Sequence, residues 1–266
     1  MLNILLVGAG KMGGAMLRSW SATNENKIIV LDPGETEAIK NAKKLGAQHV
    51  TNAADLPDKI DIVILAIKPQ LFKTVAPQIS AHTSDEALII SVLAGTSLNA
   101  LQAQFSKNPI IRAMPNTPAS IGKGITAITG NNFVTKTDIK MAIRLLSPCG
   151  PVRYVSTEEL IDAVTAISGS GPAYIFHFVE ALTQSGKELG LSDDDAQAFA
   201  REMVIGAGAL LEASDETAGQ LRKNVTSPNG TTQAALDVLM NKNALTLLVK
   251  MTTKAAYERA QELANE

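Results

Sequence analysis

Residues 4–13 read Ile-Leu-Leu-Val-Gly-Ala-Gly-Lys-Met-Gly, an apolar run and then glycines in the pattern GxGxxG, and a helix-compatible stretch follows them. Strand, glycine turn and helix in this order are typical of the phosphate-binding start of a dinucleotide fold. Gly8 would permit the tight turn, Gly10 would let the backbone approach a pyrophosphate, and Gly13 would let the helix pack on the strand. The first N–H groups of the helix would then face the anion.

A second strand supports this interpretation. The apolar run at residues 27–31 ends in Asp32, which lies 19 residues beyond Gly13. A carboxylate that binds the ribose of a dinucleotide is expected at a spacing of about 20 residues. The motif alone is also compatible with a simple glycine-rich turn, but the second strand and its terminal acid favour a dinucleotide site.

Composition restricts the function classes. The chain has 266 residues, of which 45% are hydrophobic and 19% charged, as in an ordinary globular protein of one or two domains. Its net charge of −2 and the scatter of its basic residues argue against a nucleic-acid partner. Cys149 is the sole cysteine, which excludes intramolecular disulfides, makes a thiolate zinc site implausible and predicts no metal. A small buried residue is the expected role of this cysteine.

The chain also gives no sign of a membrane partner. No apolar stretch approaches the roughly 18 to 20 residues that a transmembrane helix needs. The first apolar run continues directly into the glycine turn, unlike a secretory signal peptide. With one cysteine and no targeting segment, a cytoplasmic location is expected.

Two textures divide the chain. Short apolar runs alternate with helical patterns up to about residue 156, which predicts a doubly wound α/β sheet. Strands are expected at 4–7, 27–31, 48–51, 61–67, 88–93, 109–113, 124–128 and 152–155. Beyond Ser156 long helical windows take over, so we predict a dinucleotide-binding domain at 1–156 and an all-helical domain at 157–266. Helices are expected at 172–189, 193–213, 219–225, 232–239 and 244–264.

Loops that follow strands deserve priority, because ligands bind outside the carboxyl ends of the strands in such sheets. Three of these loops stand out, at residues 66–70, 94–96 and 114–118. Lys68 in the first loop is either a solvated surface lysine or a cation beside phosphate, ribose or a substrate carboxylate. The prolines of the third loop would make it a stiff wall. In the helical half, the turns at 168–172 and 226–232 would expose N–H groups to an anion, or would simply connect helices.

These segments resemble the Δ1-pyrroline-5-carboxylate reductase family. The matching stretches are Gly8–Gly13, Ala66–Pro69, Met114–Pro118, Asp162–Tyr174 and Asn224–Thr232. The resemblance implies an N-terminal Rossmann domain, an all-α dimerisation domain, and NAD(P)H-dependent reduction of the C=N bond of 1-pyrroline-5-carboxylate to L-proline. It also implies a homodimer, which in some members assembles into a homodecamer.

The resemblance assigns roles to particular residues. Thr232 would be catalytic and hydrogen-bond the ring nitrogen of the substrate, while Asn224 and the backbone of Gly230, Thr231 and Thr232 would hold its carboxylate. The residues expected at the cofactor are Gly8, Gly10, Lys11, Met12, Asp32, Asn52, Ala66, Lys68, Pro69 and Ala94.

The sequence departs from the family pattern at two positions. Asn229 stands where many members have glycine, and we expect the turn to survive because asparagine tolerates positive φ. Asp32 stands where members that use NADPH often carry a hydroxyl or a basic side chain. A carboxylate would repel the 2′-phosphate and accept ribose hydroxyls, so Asp32 favours NADH whereas the family pattern favours NADPH.

Two alternatives are a 3-hydroxyacid dehydrogenase of the 6-phosphogluconate type and a non-catalytic NAD(P)-binding sensor. Such a dehydrogenase needs a catalytic lysine near its glycine-rich loop, and Lys187 lies 16 residues beyond Gly171, over four helical turns away. A ketone also needs a proton donor, and none of the three histidines is well placed as one. An iminium carbon is already electrophilic, so orientation and electrostatics would suffice for its reduction. A sensor would have no need of a second anion-binding turn.

Overall fold

The computed structural model describes residues 1–21 and 26–265. It forms two compact units, the first made of Met1–Ser170 and Ala256–Glu266 and the second of Gly171–Ala255. These units are defined by compactness alone. The functional domain limits drawn from the sequence, 1–156 and 157–266, stay a prediction.

An eight-stranded sheet, counted over the described residues, forms the centre of the first unit. Its strands are β1 (Asn3–Val7), β2 (Lys27–Leu31), β3 (Gln48–Val50), β4 (Ile62–Leu65), β5 (Leu88–Ser91), β6 (Ile110–Met114), β7 (Thr126–Gly130) and β8 (Val152–Tyr154). Their spatial order is β3-β2-β1-β4-β5-β6-β7-β8. All neighbours are parallel except β6 and β7, which pair antiparallel. The last two strands extend one edge of the sheet.

The central strands are apolar because both faces of the sheet are covered. In β1, Ile4 and Leu6 belong to the core on one face, while Leu5 and Val7 belong to the core on the other. This alternation follows from the period of two along a strand. Side chains on both faces are almost fully buried, so the strand is a continuous apolar run, as in other parallel sheets.

Helices cover both faces of the sheet. They are α1 (Lys11–Ser21), α2 (Glu37–Lys44), α3 (Phe72–Ser80), α4 (Leu98–Gln104), α5 (Lys136–Leu146) and α6 (Glu159–Val164). Apolar residues of α1, α2 and α5 enter one core, and those of α3 and α4 enter the other. The predicted doubly wound α/β fold is therefore confirmed.

Local signals fix several helix starts. Thr36 and Ser97 accept backbone N–H groups at the starts of α2 and α4, and Thr135 with Asp138 forms a reciprocal capping box on α5. Cys149 is buried, and desolvation raises the pKa of its thiol. Its side chain therefore packs as a protonated apolar group, which confirms the expected role of this cysteine.

The second unit is helical. It contains α7 (Gly171–Glu188), α8 (Asp193–Ala213), α9 (Ala218–Asn224), α10 (Thr231–Met240) and the first part of α11 (Ala244–Asn265). Ser192 caps α8 by accepting the N–H of Asp195, and the three aspartates of the first turn complement the helix dipole. Between α6 and α7 the chain makes a π-helical turn, Thr165–Gly169, which the sequence did not indicate.

Candidate functional site

A cavity of about 1040 Å³ lies at the carboxyl edge of the sheet. The strand order reverses between β1 and β4, and nucleotides bind outside such a reversal. The cavity is lined by Val7, Gly8, Gly10, Leu31, Asp32, Pro33, Thr51, Asn52, Ala53, Ala66, Ile67, Lys68, Gln70, Leu71, Val75 and Gln78. Its position and its glycine-rich wall suit an elongated phosphorylated ligand.

The three glycines of the turn meet different surroundings. Gly8 has a φ of +91°, and a Cβ on it would lie 2.9 Å from the carbonyl oxygen of Ala66. A Cβ on Gly13 would lie 2.1 Å from the carbonyl oxygen of Gly8, so the helix can approach the turn only without a side chain there. A Cβ on Gly10 would meet no heavy atom within 4 Å. The backbone at Gly10 is therefore open to the cavity.

Asp32 holds the glycine turn in place. One carboxylate oxygen, Oδ2, accepts the N–H of Ala9 at 2.7 Å, and the other, Oδ1, accepts the N–H of Gly34 at 2.8 Å. The ring Nε2 of His49 lies 2.9 Å from the carbonyl oxygen of Asp32. Each carboxylate oxygen has a second lone pair, so the group can still accept a hydroxyl from a ligand. A structural role of Asp32 toward the turn was missed, because spacing alone shows only its distance from Gly13.

Two further predicted cofactor residues have clear local structure. Asn52 caps the short turn after β3, because its side-chain oxygen accepts the N–H of Ala54 at 3.1 Å. Lys68 follows β4 and is exposed at the cavity, where its ammonium supplies positive charge. Asp32, also at the cavity, supplies the opposing negative charge.

The cavity collects part of the predicted cofactor set. Its lining includes Gly8, Gly10, Asp32, Asn52, Ala66 and Lys68. Lys11, Met12, Pro69 and Ala94 are not among the described lining residues: the first two begin α1, Pro69 begins the turn after Lys68, and Ala94 follows β5. Sequence reasoning missed the polar side chains of Thr51 and Gln78, and it assigned no role to Gln70, which ends the loop at 66–70. Thr51 follows β3 and Gln70 closely follows β4, so their positions after strands were the available signal.

The loop at 114–118 is held by one of its own side chains. Asn116 accepts the N–H of Ile125 at 3.0 Å, which ties the loop to the approach of β7. Met114 contacts the π-helical turn, since a Cβ on Gly169 would lie 2.9 Å from the Met114 methyl carbon. The loop is thus restrained from two sides, in addition to the prolines that the sequence shows.

The predicted substrate residues lie in the second unit. Asn229 has a φ of +58°, so asparagine does adopt the left-handed turn and that expectation is confirmed. Gly230 precedes α10, and no side chain caps the N–H groups of its first turn, which includes Thr231 and Thr232. Thr232 is half-buried, whereas Thr231 is exposed.

Asn224 at the end of α9 is engaged within the second unit. Its side-chain oxygen accepts the amide of Gln220 at 2.8 Å, and its side-chain nitrogen donates to Glu216 at 2.9 Å. Sequence reasoning missed both partners. These contacts fix the end of the helix that leads into the turn at 226–232.

Comparisons with known proteins identify the family. A model described as pyrroline-5-carboxylate reductase dimerisation matches residues 158–263. A curated pyrroline-5-carboxylate reductase from Pseudomonas aeruginosa is 35% identical to the chain, over 99% of this chain and 97% of the relative. The chain belongs to the pyrroline-5-carboxylate reductase family. The resemblance noted in the sequence is thereby confirmed.

Solved structures of the family agree. A pyrroline-5-carboxylate reductase from Coxiella burnetii matches with a TM-score of 0.91 and 33% identity over 99% of this chain and 98% of its own. A pyrroline carboxylate reductase from Plasmodium falciparum, solved with NADP bound, matches with a TM-score of 0.81 and 28% identity over the same shares. A model described as NADP oxidoreductase, coenzyme F420-dependent, matches residues 3–95. The family is one of NAD(P)H-dependent oxidoreductases, and the cavity lies within the segment that this second model matches.

Two observations argue against the dehydrogenase and the sensor as alternative functions. Lys187 lies in the last turn of α7, about 24 Å along the helix from Gly171. Its ammonium pairs with the carboxylate of Asp193 at 3.0 Å. This position does not suit a catalytic lysine beside the turn before α7. Full-length similarity to reductases likewise does not favour a non-catalytic sensor. Across residues 1–21 and 26–265, none of the helices has the length and apolar character needed to cross a bilayer.

Proposed function

We propose that the chain reduces the C=N bond of 1-pyrroline-5-carboxylate with NADH or NADPH and releases L-proline. The observation that carries this proposal is the full-length similarity to pyrroline-5-carboxylate reductases, joined to an open glycine turn at the carboxyl edge of the sheet. The reduced nicotinamide supplies a hydride when it is bound. The residues of the chain bind the cofactor and the substrate, orient them toward each other and supply charge around them.

The first unit binds the cofactor in this proposal. Gly8, Gly10 and the first N–H groups of α1, at Lys11 and Met12, face the pyrophosphate. Asp32 and Asn52 lie toward the ribose of the adenosine half, and Lys68 balances phosphate charge. Ala66, Pro69 and Ala94 line the edge along which the cofactor extends. The cavity wall and the uncrowded Gly10 support these roles.

The second unit binds the substrate. The N–H groups from Gly230 to Thr232 hold its carboxylate, as a helix start favours an anion. The hydroxyl of Thr232 hydrogen-bonds the ring nitrogen. Asn224 contributes to the carboxylate site by exchanging one of its present bonds, to Gln220 or Glu216. Hydride addition to a protonated imine leaves a neutral amine, so the site needs no strong acid.

Assembly and location are part of the same proposal. The family model for dimerisation indicates a homo-oligomer, for which we propose a homodimer and, as a larger assembly, a decamer of five dimers. Exposed apolar side chains on the helices of the second unit support subunit contacts there. A single buried thiol suits a reducing compartment, so we propose a cytoplasmic location. The functional domains proposed are 1–156 for the cofactor and 157–266 for dimerisation and substrate.

The proposed function is tested by mixing the purified protein with 1-pyrroline-5-carboxylate and either NADH or NADPH. Oxidation of the reduced cofactor is followed by its absorbance, and proline is quantified as the product. We expect cofactor loss and proline formation in equal amounts, with neither in the absence of substrate. Protein that binds nucleotide but forms no proline with either cofactor would contradict the proposal. Oxidation of 3-hydroxyacids by NAD(P)⁺ would then be assayed for the dehydrogenase alternative.

Asp32→Ser is expected to raise the NADPH to NADH ratio of kcat/KM by about tenfold or more. The substitution removes the negative charge that repels a 2′-phosphate. Two unit charges about 4 Å apart repel each other by about 1 kcal/mol even when they are fully screened by water. NADH affinity should also fall, because Ala9 loses its carboxylate acceptor. Steady-state kinetics with each cofactor measure both effects.

Glu35→Gln is the matched control for this substitution. Glu35 is exposed and pairs with Lys43, whose hydrogen bond lowers the pKa of the Glu35 carboxyl, so the group is a charged acid close to Asp32 in sequence. Its carboxylate accepts a bond from Lys43, whereas the carboxylate of Asp32 accepts the N–H of Ala9 in the glycine turn. We expect its cofactor ratio to change less than about threefold, since exposed charges are screened. An equal shift in both variants would refute a specific role of Asp32.

A further inference from the structure

A buried ion cluster, which we call the Arg112 cluster, lies in the first unit beside the carboxyl edge of the sheet. It consists of Arg112, Glu158 and Asp162. The guanidinium Nη1 of Arg112 donates to Oε1 of Glu158 at 2.7 Å, and Nη2 donates to Oδ1 of Asp162 at 3.3 Å. The side chain of Arg112 is only 4% exposed. A charge buried so completely requires its partners, because an unpaired one would be strongly unfavourable.

The sheet places Arg112 in a row of buried polar residues. Arg112 on β6 is paired in register with Ser91 on β5 and with Thr129 on β7. All three are nearly inaccessible to solvent. The guanidinium extends from this row to the start of α6, where Glu158 and Asp162 stand. Arg112 therefore fixes the position of the Glu158 carboxylate relative to the sheet.

Glu158 has a second contact, and it leads to a predicted cofactor loop. The same oxygen, Oε1, accepts the N–H of Leu98 at 2.7 Å. Leu98 is the first residue of α4, and the loop at 94–96 joins β5 to this helix. The N–H groups of a first helical turn lack partners within the helix, so an external acceptor determines how that turn is held. Glu158 is that acceptor for Leu98.

The other end of the Arg112 cluster adjoins a second loop. Arg112 is two residues before Met114, with which β6 ends and the loop at 114–118 begins. The Met114 methyl group also lies beside Gly169, beyond α6, because a Cβ built on Gly169 would come within 2.9 Å of it. The Arg112 cluster thus connects β6, which leads into the loop at 114–118, with α4, which follows the loop at 94–96. Both loops lie at the edge where a nucleotide binds in this class of sheet.

We propose that Glu158 is a positioning residue for cofactor binding, which holds the loop at 94–96 through the Leu98 N–H while Arg112 holds Glu158. This role rests on the proposed function, because it takes the loop at 94–96 as a contact for NADH or NADPH. Without Glu158 the start of α4 loses a charged acceptor and the loop samples other positions. Binding then has to restore the order of the loop, which weakens affinity.

The test is a fluorescence titration of the full-length protein with NADH and with NADPH, in the absence of substrate. Glu158→Ala should raise the Kd of both cofactors by about tenfold, with the NADPH to NADH ratio unchanged. Glu158→Gln keeps an acceptor oxygen at the same distance, so it should restore the Kd to within about threefold of the original. Glu158→Asp keeps the charge but is one methylene shorter, so it should bind more weakly than Glu158→Gln.

Glu159→Ala is the matched control, since Glu159 is an exposed acid in the first turn of the same helix. Its Kd values should stay within about twofold of the original, because exposed charges contribute little. Thermal unfolding is recorded for each variant. A lower unfolding midpoint with unchanged Kd in Glu158→Ala would overturn the proposal, since it would show a purely structural role. If Glu158→Ala does not fold, tighter binding by Glu158→Asp than by Glu158→Gln would overturn it instead.

The titration separates this inference from the proposed function. Absence of proline formation by the unaltered protein would refute the reductase proposal and leave the cofactor titration interpretable. Normal proline formation together with an unchanged Kd in the glutamate variants would refute the role of Glu158 alone.

Discussion

Replacing Gly10 with alanine is expected to weaken NADH and NADPH binding by about tenfold or more, without lowering the stability of the protein. No heavy atom lies within 4 Å of a Cβ built on Gly10, so the protein itself has room for the methyl group. That room is part of the cavity, and a methyl group would keep the pyrophosphate from the backbone. Cofactor titration and thermal unfolding, measured on the same sample, check both parts.

Gly13→Ala is the matched comparison, because it adds the same methyl group three residues away. Its Cβ would lie 2.1 Å from the carbonyl oxygen of Gly8, which is backbone and cannot move aside cheaply. Stability should fall by about 3 kcal/mol or more, at the upper end of overpacking effects. The two substitutions should therefore separate ligand contact from folding. A loss of stability in Gly10→Ala, or an unchanged affinity of Gly10→Ala for the cofactor, would contradict the conclusion that the backbone at Gly10 is open to the cavity.

Thr232→Ala should lower kcat by about a hundredfold while the Kd of the cofactor stays within about twofold. The hydroxyl is proposed to hold the ring nitrogen as hydride arrives, and loss of one preorganised hydrogen bond at a reacting centre costs about 10² to 10³ in rate. The N–H groups of the α10 start remain in place, so substrate binding should fall less than turnover. Steady-state kinetics and cofactor titration make the distinction.

Two variants accompany this experiment. Thr232→Ser keeps the hydroxyl and should restore most of the activity. Thr137→Ala removes a threonine hydroxyl from an exposed position in the first turn of α5, in the first unit. We expect normal kcat from the second variant. Equal losses of turnover and cofactor affinity in Thr232→Ala would refute the proposed contact with the ring nitrogen.

The sequence predicts those features whose signals are local. The glycine turn and the apolar strands each depend on residues close together in the chain, and both appear in the structure. The positive φ of Asn229 was likewise expected from the residue type and its place in a turn. At the glycine turn and at Asn229, the backbone conformation permits only a few residue types, so the residue type in the sequence indicates the conformation.

Contacts between distant residues were not predictable in the same way. Asp32 and Ala9 are 23 positions apart, and Arg112 is 50 positions from Asp162, so no periodicity connects them. An arginine within the apolar run of β6 was the available signal, since a charge in a buried strand requires a partner. The six-residue α6 and the π-helical turn gave no periodic pattern long enough to recognise.

We expect the apolar surface of the second unit to make the stability of that unit depend on protein concentration. Phe176, Leu248 and Met251 are 64%, 61% and 70% exposed in the single chain, although residues of this kind favour burial. If a second copy covers them, association contributes to the free energy of folding, and the unfolding midpoint rises with protein concentration. The first unit has its own core on each face of its sheet, so we expect it to stay folded and bind nucleotide without a second copy. Dilution should therefore abolish proline formation at concentrations where the separated chains still bind nucleotide.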